Sequence, residues 1–399
     1  MPAAQYVPPT TAGPLEGKRV LDLSSVIMGP FSTQILGDLG ADVISIEDRS
    51  GDTNRSMGPG PIEGLSGVSL NLLRNKRSVG LDLKQPAGRE GFLAIAATCD
   101  VVVTNLRPAP LGRLGLAYDD VRAVRPDIIF CQAHGYPSAG ENANAPAYDD
   151  IIQSASGIGD LFARQGHQPS LMPTLVADKV AGMTIANAVL AALVHHGATG
   201  VGQHIEVPMI DVMQSFVLTE HGAGAIPEPP LDRAGYRRIL TVERRPQQTA
   251  DGWVNVLPYT DDNFNALFRA GDRDDLLNDP RIATRSSRIQ NSDSLYRDIA
   301  GILLTRTTAE WLEFCDVEAI PATASASLDD LVDAHPLAEH PRAGTYRVIP
   351  PPVQFSETPA SVRSPAPTVG QHGVEVLIEV GYSSAEVAEL RDTGVLFES

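Results

Sequence analysis

The sequence predicts a mixed α/β protein in two parts: a large domain built on a parallel sheet and a smaller α/β domain. Three observations carry that expectation. Residues 18–47 read as a strand (RVLDLSS), a helix (FSTQILGDLGA) and a second strand (DVISIE). Two strand patterns joined by a helical crossover form a βαβ unit, whose strands run parallel. Further buried-strand patterns follow at DVVVTNL and DIIFCQAHGY. After Met213 the composition shifts, and residues 222–250 become rich in Gly, Pro and Arg before strand and helix patterns resume.

The bulk properties narrow the partners. A chain of 399 residues with 43% hydrophobic content can build a sizeable core and more than one domain. A net charge of −18 argues against nucleic acid and anionic membrane surfaces, so an anionic ligand needs a local basic pocket. Cys99, Cys131 and Cys315 are odd in number and widely spaced. They suggest neither a disulfide framework nor a metal site, and a reducing cytoplasm is expected. The N-terminus lacks an apolar signal core, and no uninterrupted run of about 18 apolar residues occurs, so no membrane partner is expected.

Taken in order, residues 1–16 are rich in Pro, Ala and Thr and read as a flexible arm. The large domain is expected over 17–221, with its first strand ending at SSVIMGP. That turn lacks the G-x-G-x-x-G pattern of a dinucleotide site. Residues 49–67 are aperiodic and Gly/Pro-rich, as a functional loop is, and lead to a basic run with Arg74, Lys76 and Arg77. A helix from Pro86 to Ala97 precedes the strand ending in Thr104-Asn105-Leu106-Arg107. Open α/β sheets bind ligands beyond the carboxyl ends of their strands, where Asn105, Arg107 and Arg113 would lie. Tyr148, Asp149 and Asp150 open the next helix, and one Asp there is explained as a cap. Residues 222–250 read as a linker, 251–334 as the small domain, and 335–399 as a return linker and the last part of the large domain. His134, His167, His195 and His196 read as surface or helix C-terminal residues.

The stretch Pro173–Met213 is the most telling. One carboxylate, Asp178, stands at the mouth of a long apolar helix among Ala177, Ala181 and Gly182. Two readings stay open: a helix-capping anion, or a pre-oriented nucleophile for acyl transfer.

Eight segments then recur in order: LDLSSVIMGP, ILGDLGADVISIE, RNKRSVGLDLK, TNLRPAPLGRLG, PAYDDIIQSASG, VADKVAGM, TGVGQHIEV and APTVGQHGVEVLIEVGYS. With these, the chain from Leu15 to Val395 resembles the class III coenzyme A transferases of the CaiB/BaiF type. That family includes formyl-CoA transferase, carnitine CoA-transferase and α-methylacyl-CoA racemase. The resemblance implies a Rossmann-like large domain, an interlocked homodimer, acyl-CoA and small carboxylic acids as substrates, and no metal. It puts the catalytic aspartate on Asp178. It puts coenzyme A contacts on Val26, Ile27 and Met28, on Leu81 to Lys84, on Asn105, Leu106 and Arg107, on Arg113, and near Tyr148 and Asp149. Arg74 and Lys76 are expected to join Arg107 and Arg113 around the polyphosphate.

Three departures are specific. Asp48 stands where relatives often carry arginine, Ile27 replaces the glutamine of formyl-CoA transferases, and RRPQQTADG lacks that subgroup's glycine-rich loop. Ile27 argues against formate and oxalate as substrates. The alternatives are a 2-methylacyl-CoA racemase and a non-catalytic acyl-CoA-binding relative. The racemases use a His-Asp pair where this chain has Tyr148-Asp149, which favours transfer. Glu220 and His221 stand either beside the acyl pocket or on the surface.

Overall fold

A computed structural model describes residues 5–6 and 13–398. Its contacts divide the chain into two compact units: Met1–Ser156 with Met172–Ser215 and Val332–Ser399, and Gly157–Leu171 with Phe216–Leu331.

The larger unit alternates strand and helix. In order come β1 (Arg19–Leu23), α1 (Met28–Asp38), β2 (Asp42–Glu47), α2 (Gly67–Leu72), β3 (Lys76–Leu81), α3 (Pro86–Ala96), β4 (Val101–Thr104), α4 (Pro108–Leu114), α5 (Tyr118–Val124) and β5 (Ile129–His134). Then come α6 (Asp149–Ala155), α8 (Val176–Thr199), β6 (Gln203–Pro208) and the start of α9 (Met209–His221), while α7 (Ile158–Arg164) and the rest of α9 from Phe216 belong to the smaller unit. The strands lie in the order β3-β2-β1-β4-β5-β6, every neighbouring pair parallel. The order reverses between β1 and β4, the switch point beyond which such sheets bind ligands. Both faces are covered, so the central strands are apolar almost throughout: Val20, Leu21, Val101, Val102, Val103 and Phe130 are fully buried.

The helix α8 packs on α1, β5 and β6. Its approach depends on Gly182, where a Cβ would stand 2.7 Å from the Met28 carbonyl oxygen. Any larger residue would push the mouth of α8 away from the turn after β1. By length and composition α8 is apolar enough to cross a bilayer, a stretch that the uninterrupted-run criterion passes over. In the fold half of that stretch is buried, as in a core helix.

The smaller unit holds a three-stranded antiparallel sheet of β7 (Gln247–Gln248), β8 (Trp253–Val256) and β9 (Ala322–Ala324). With it pack α10 (Asp261–Ala270), α11 (Arg285–Gln290), α12 (Ser292–Leu303) and α13 (Thr308–Val317). Val254, Phe268, Ile299, Leu303 and Trp311 form its core, and the Trp311 indole N–H donates to the Leu303 carbonyl at 2.8 Å. Residues 157–171 and 222–250 group with this unit, where the sequence suggested an unbroken large domain and a separate linker. Long-range bonds explain the difference: Arg164 donates to the Ala234 carbonyl and Gln165 to that of Ile239.

After α14 (Leu328–Asp333) the chain forms the hairpin of β10 (Leu337–His340) and β11 (Gly344–Arg347), then α15 (Gly373–Glu379), α16 (Ser384–Asp392) and β12 (Leu396–Phe397). α16 carries a capping box: Ser383 accepts from the Glu386 N–H, and Glu386 accepts from the Ser383 N–H. β12 closes the sheet antiparallel to β3. The arm read over 1–16 lies mostly outside the described residues. Its described part is tied down by Tyr6, whose N–H donates to the Leu337 carbonyl and whose hydroxyl accepts from the Val362 N–H.

Candidate active site

The turn between β1 and α1 is built from below by buried charge. Asp22 is fully buried and accepts from Lys76 Nζ at 3.0 Å and from Thr33 Oγ1 at 2.6 Å, while Lys76 also donates to the Pro30 carbonyl at 2.9 Å. Arg74 pairs in the same way with Asp38, at 2.6 and 3.0 Å. This corrects the expectation that Arg74 and Lys76 face a polyphosphate. Both are 2% exposed, line neither cavity described below, and lock α1 onto the sheet. Charges this deep must be paired.

Above them, Val26 adopts φ +71°, a costly conformation for a β-branched residue. Its N–H donates to Asp52 Oδ1 at 2.8 Å and its carbonyl accepts from Asn54 Nδ2 at 3.1 Å. Asn105, at the end of β4, accepts from the Ser25 N–H at 3.0 Å and donates to the Ser25 carbonyl at 2.8 Å. The aperiodic loop read as functional supplies Asp52 and Asn54. Four hydrogen bonds therefore hold this turn, and Ser25, Val26 and Met28 line a cleft beside it.

That cleft, of about 250 Å³, is lined also by Asn105, Leu106, Arg107, His134, Tyr148 and Asp178. A second cavity of about 550 Å³ is lined by Leu81, Lys84, Asp48, Arg49, Leu114 and Phe397. Ser25 and Leu106 line both, so the two form one groove over the carboxyl ends of the strands. Cations serve it at separated points. Lys84 is exposed and acts on the neighbouring Asp82 carboxylate, Arg49 lies over the Phe397 ring at 4.6 Å, and Arg107 donates to the Asn144 carbonyl. Asp48, in the place of an arginine, accepts from Ser50 N–H and Oγ. Ile27 is buried and Arg113 lies exposed in the last turn of α4, and neither lines the groove.

Asp178 sits in the first turn of α8 and is 9% exposed. It makes no capping hydrogen bond, which corrects the capping reading. The acceptor at this helix end is Asp149, whose Oδ1 takes the Asp178 N–H at 3.0 Å while its Oδ2 takes Gln153 Nε2. Asp149 is buried behind the cleft and does not line it, so it positions Asp178 where a ligand contact was expected. Burial first, and the nearby Asp149 carboxylate second, push the Asp178 carboxyl up from 3.8 to about 7. A carboxylate with that basicity is a stronger nucleophile than an exposed one and is still partly ionised at neutral pH.

His134 was read as a surface residue, yet it is 2% exposed and lines the same cleft. Burial lowers its pKa, so the ring is neutral at pH 7. Its Nε2 meets Ser138 Oγ at 3.2 Å and Glu206 Oε1 at 3.5 Å. Its place at the carboxyl end of a central strand, followed by Gly135, is the signal that could have found it. His221 lies in the smaller unit, where it accepts from the Tyr236 N–H at 3.2 Å and meets Glu220 at 3.4 Å. Among the described residues no cluster of three His, Cys, Asp or Glu side chains suits a metal ion.

The family described as CoA-transferase family III matches residues 15–373. The chain is 31% identical over 389 residues to the succinate–glutarate CoA-transferase of Agrobacterium fabrum, covering 93% of this chain and 97% of that one. It is 30% identical to the succinyl-CoA:glutarate CoA-transferase of Mus musculus, covering 96% and 90%. A solved CAIB/BAIF family protein from Brucella suis superposes with a TM-score of 0.78 at 27% identity, covering 92% and 100%. With a groove ending at a buried carboxylate and a match across nearly its whole length, the chain belongs to CoA-transferase family III and is an enzyme of that class.

Proposed function

We propose that the protein moves coenzyme A from an acyl-CoA donor to a carboxylic acid acceptor through covalent intermediates on Asp178. The observation that carries this reading is the buried, uncapped Asp178 carboxylate lining the groove, with its pKa near 7. In the first step an Asp178 oxygen attacks the donor thioester carbon. The C–S bond breaks, coenzyme A leaves as thiolate, and a mixed anhydride remains. The thiolate then attacks the aspartyl carbonyl, the anhydride C–O bond breaks, and the donor acid departs to leave an aspartyl-CoA thioester. The acceptor carboxylate attacks that thioester, forming a second mixed anhydride and freeing the thiolate again. Attack of the thiolate on the acceptor acyl carbon gives the new acyl-CoA and restores Asp178. Each step exchanges one activated acyl bond for another, so acyl activation is kept throughout and one difficult exchange is split into easier steps.

In this reading the larger cavity takes the nucleotide end, with Lys84 and Arg49 facing its charges, and the smaller cleft, lined by Arg107, takes the pantetheine arm and acyl group. Small dicarboxylic acids, as in the names of the relatives above, are the proposed acceptors. The working form is an interlocked homodimer with a Rossmann-like large domain, in the cytoplasm. Incubation with succinyl-CoA, quenching and peptide mass spectrometry should find a hydroxylamine-sensitive adduct on the peptide carrying Asp178. An adduct on another residue would refute the assignment.

The position of Asp149 yields a pH prediction. The acidic limb of kcat/KM is expected near pH 7, where Asp178 ionises in the free enzyme. In Asp149→Asn the limb should move to lower pH, because one of the two causes of the raised pKa is gone. It should stop short of an ordinary carboxylate value, since burial is the larger cause and persists. Matching pH–rate profiles for the two forms would count against this coupling.

His134 is the observation that favours a second reading, proton exchange at the α-carbon of an acyl-CoA, since it shares the cleft with Asp178. Deuterium uptake into 2-methylacyl-CoA without any acceptor acid would establish it.

A further inference from the structure

The smaller unit carries a cavity of its own, about 300 Å³, within the size range of small-ligand pockets. It is built on the α10–α12 layer, and its floor is apolar: Phe264, Leu295 and Ile299 are 6%, 2% and 1% exposed. Its rim is basic, with Arg238, Arg285 and Arg288. Arg288 is neutralised by Asp261 and also donates to the Ile282 carbonyl. Arg238 lies with its guanidinium carbon 5.1 Å from the centre of the half-exposed Tyr259 ring and hydrogen-bonds to the Tyr296 and Tyr259 side chains, neutral partners that leave its charge uncompensated. Arg285 is exposed and has no hydrogen bond or ion pair among the described residues. Two guanidinium charges are thus left over a hydrophobic floor, in a protein whose net charge is −18.

A second, independent feature is Ser292, the first residue of α12. It lines the cavity, is 3% exposed, and its Oγ has no hydrogen-bond partner among the described residues. A buried hydroxyl without a partner costs on the order of 1–3 kcal/mol. Such a group is retained where something else bonds it.

We propose that this cavity binds a small organic carboxylate with an apolar body. The Arg238 and Arg285 forks suit the two oxygens of a carboxylate, the Tyr259 face and the apolar floor suit a flat or branched hydrocarbon, and Ser292 supplies a short-range polar contact. Inorganic phosphate would satisfy the arginines and waste the floor. The site lies wholly within the smaller unit and involves none of the groove residues, so it stands whether or not Asp178 is the nucleophile.

Calorimetric titration of the full-length protein with benzoate is expected to give one saturable site per chain. Arg285→Ala, a change at an exposed position, should weaken it by about tenfold or more. Ser292→Ala removes an unbonded hydroxyl and should fold normally, yet it too should bind benzoate several-fold more weakly. Asp178→Asn should bind benzoate as the parent does. The proposal is overturned if binding is not saturable, if Arg285→Ala leaves it unchanged, or if phosphate binds as tightly as benzoate. It is equally overturned if Asp178→Asn abolishes the binding, which would move benzoate to the strand-end groove.

Discussion

Replacing Asp178 by Asn should lower coenzyme A exchange by at least about a thousandfold while leaving acyl-CoA affinity within a few-fold. The size follows from what is lost. The amide keeps the shape of the side chain but has no oxygen basic enough to attack a thioester, so both aspartyl intermediates disappear. Binding should survive because the groove is lined mainly by Val26, Asn105, Arg107, Lys84 and their neighbours, none of which leans on the Asp178 carboxylate. The link from Asp149 to Asp178 runs through the backbone N–H, which the variant retains. Steady-state transfer and acyl-CoA titration of the same preparation separate the two effects. Because asparagine can deamidate back to aspartate, Asp178→Ala should be measured beside it. Substantial turnover in the alanine variant would rule Asp178 out as nucleophile.

The same substitution should stabilise the fold, increasingly as pH rises from about 4 to about 7 and fully above that. The sign follows from linkage. Below the ordinary carboxyl pKa of 3.8 the side chain is protonated in both folded and unfolded chains and contributes nothing. As pH rises toward about 7 the unfolded chain releases the proton while the fold retains it, so stability falls. Above about 7 the penalty is complete, at most about 4 kcal/mol for a displacement of this size. Asp178→Asn removes that penalty. Denaturant melts of the two proteins should nearly coincide near pH 4, diverge progressively between pH 4 and 7, and stay apart above pH 7, with the variant more stable. A gain independent of pH would show that burial of this carboxylate is not what costs stability. The pattern is that of a site where function is maintained against stability.

Asp149 shows why one part of the site could not be read from the chain. Its sequence setting, at the head of a helix beside Tyr148 and Asp150, fits a cap of its own helix. In the fold its carboxylate serves the N-terminus of α8, accepting from Asp178, twenty-nine residues away. Arg74 and Lys76 fail in the same way. Beside Arg77 they look like a basic run, yet each turns to a buried aspartate, Asp38 or Asp22, at 36 and 54 residues' distance. His134 is the converse case, a lone polar residue that the sheet carries into the cleft.

What the chain by itself determined is the set of elements and their order: strands ending at Leu23 and Thr104, a loop long enough to reach the first turn, and a long apolar helix opening on Asp178. Those follow from periodicity, glycine placement and local capping, which act over a few residues. Which charges are spent inside the protein and which face the groove was decided only by the tertiary structure. A buried charge must find its partner wherever the packed sheet and helices deliver one, and that pairing leaves no trace in local sequence.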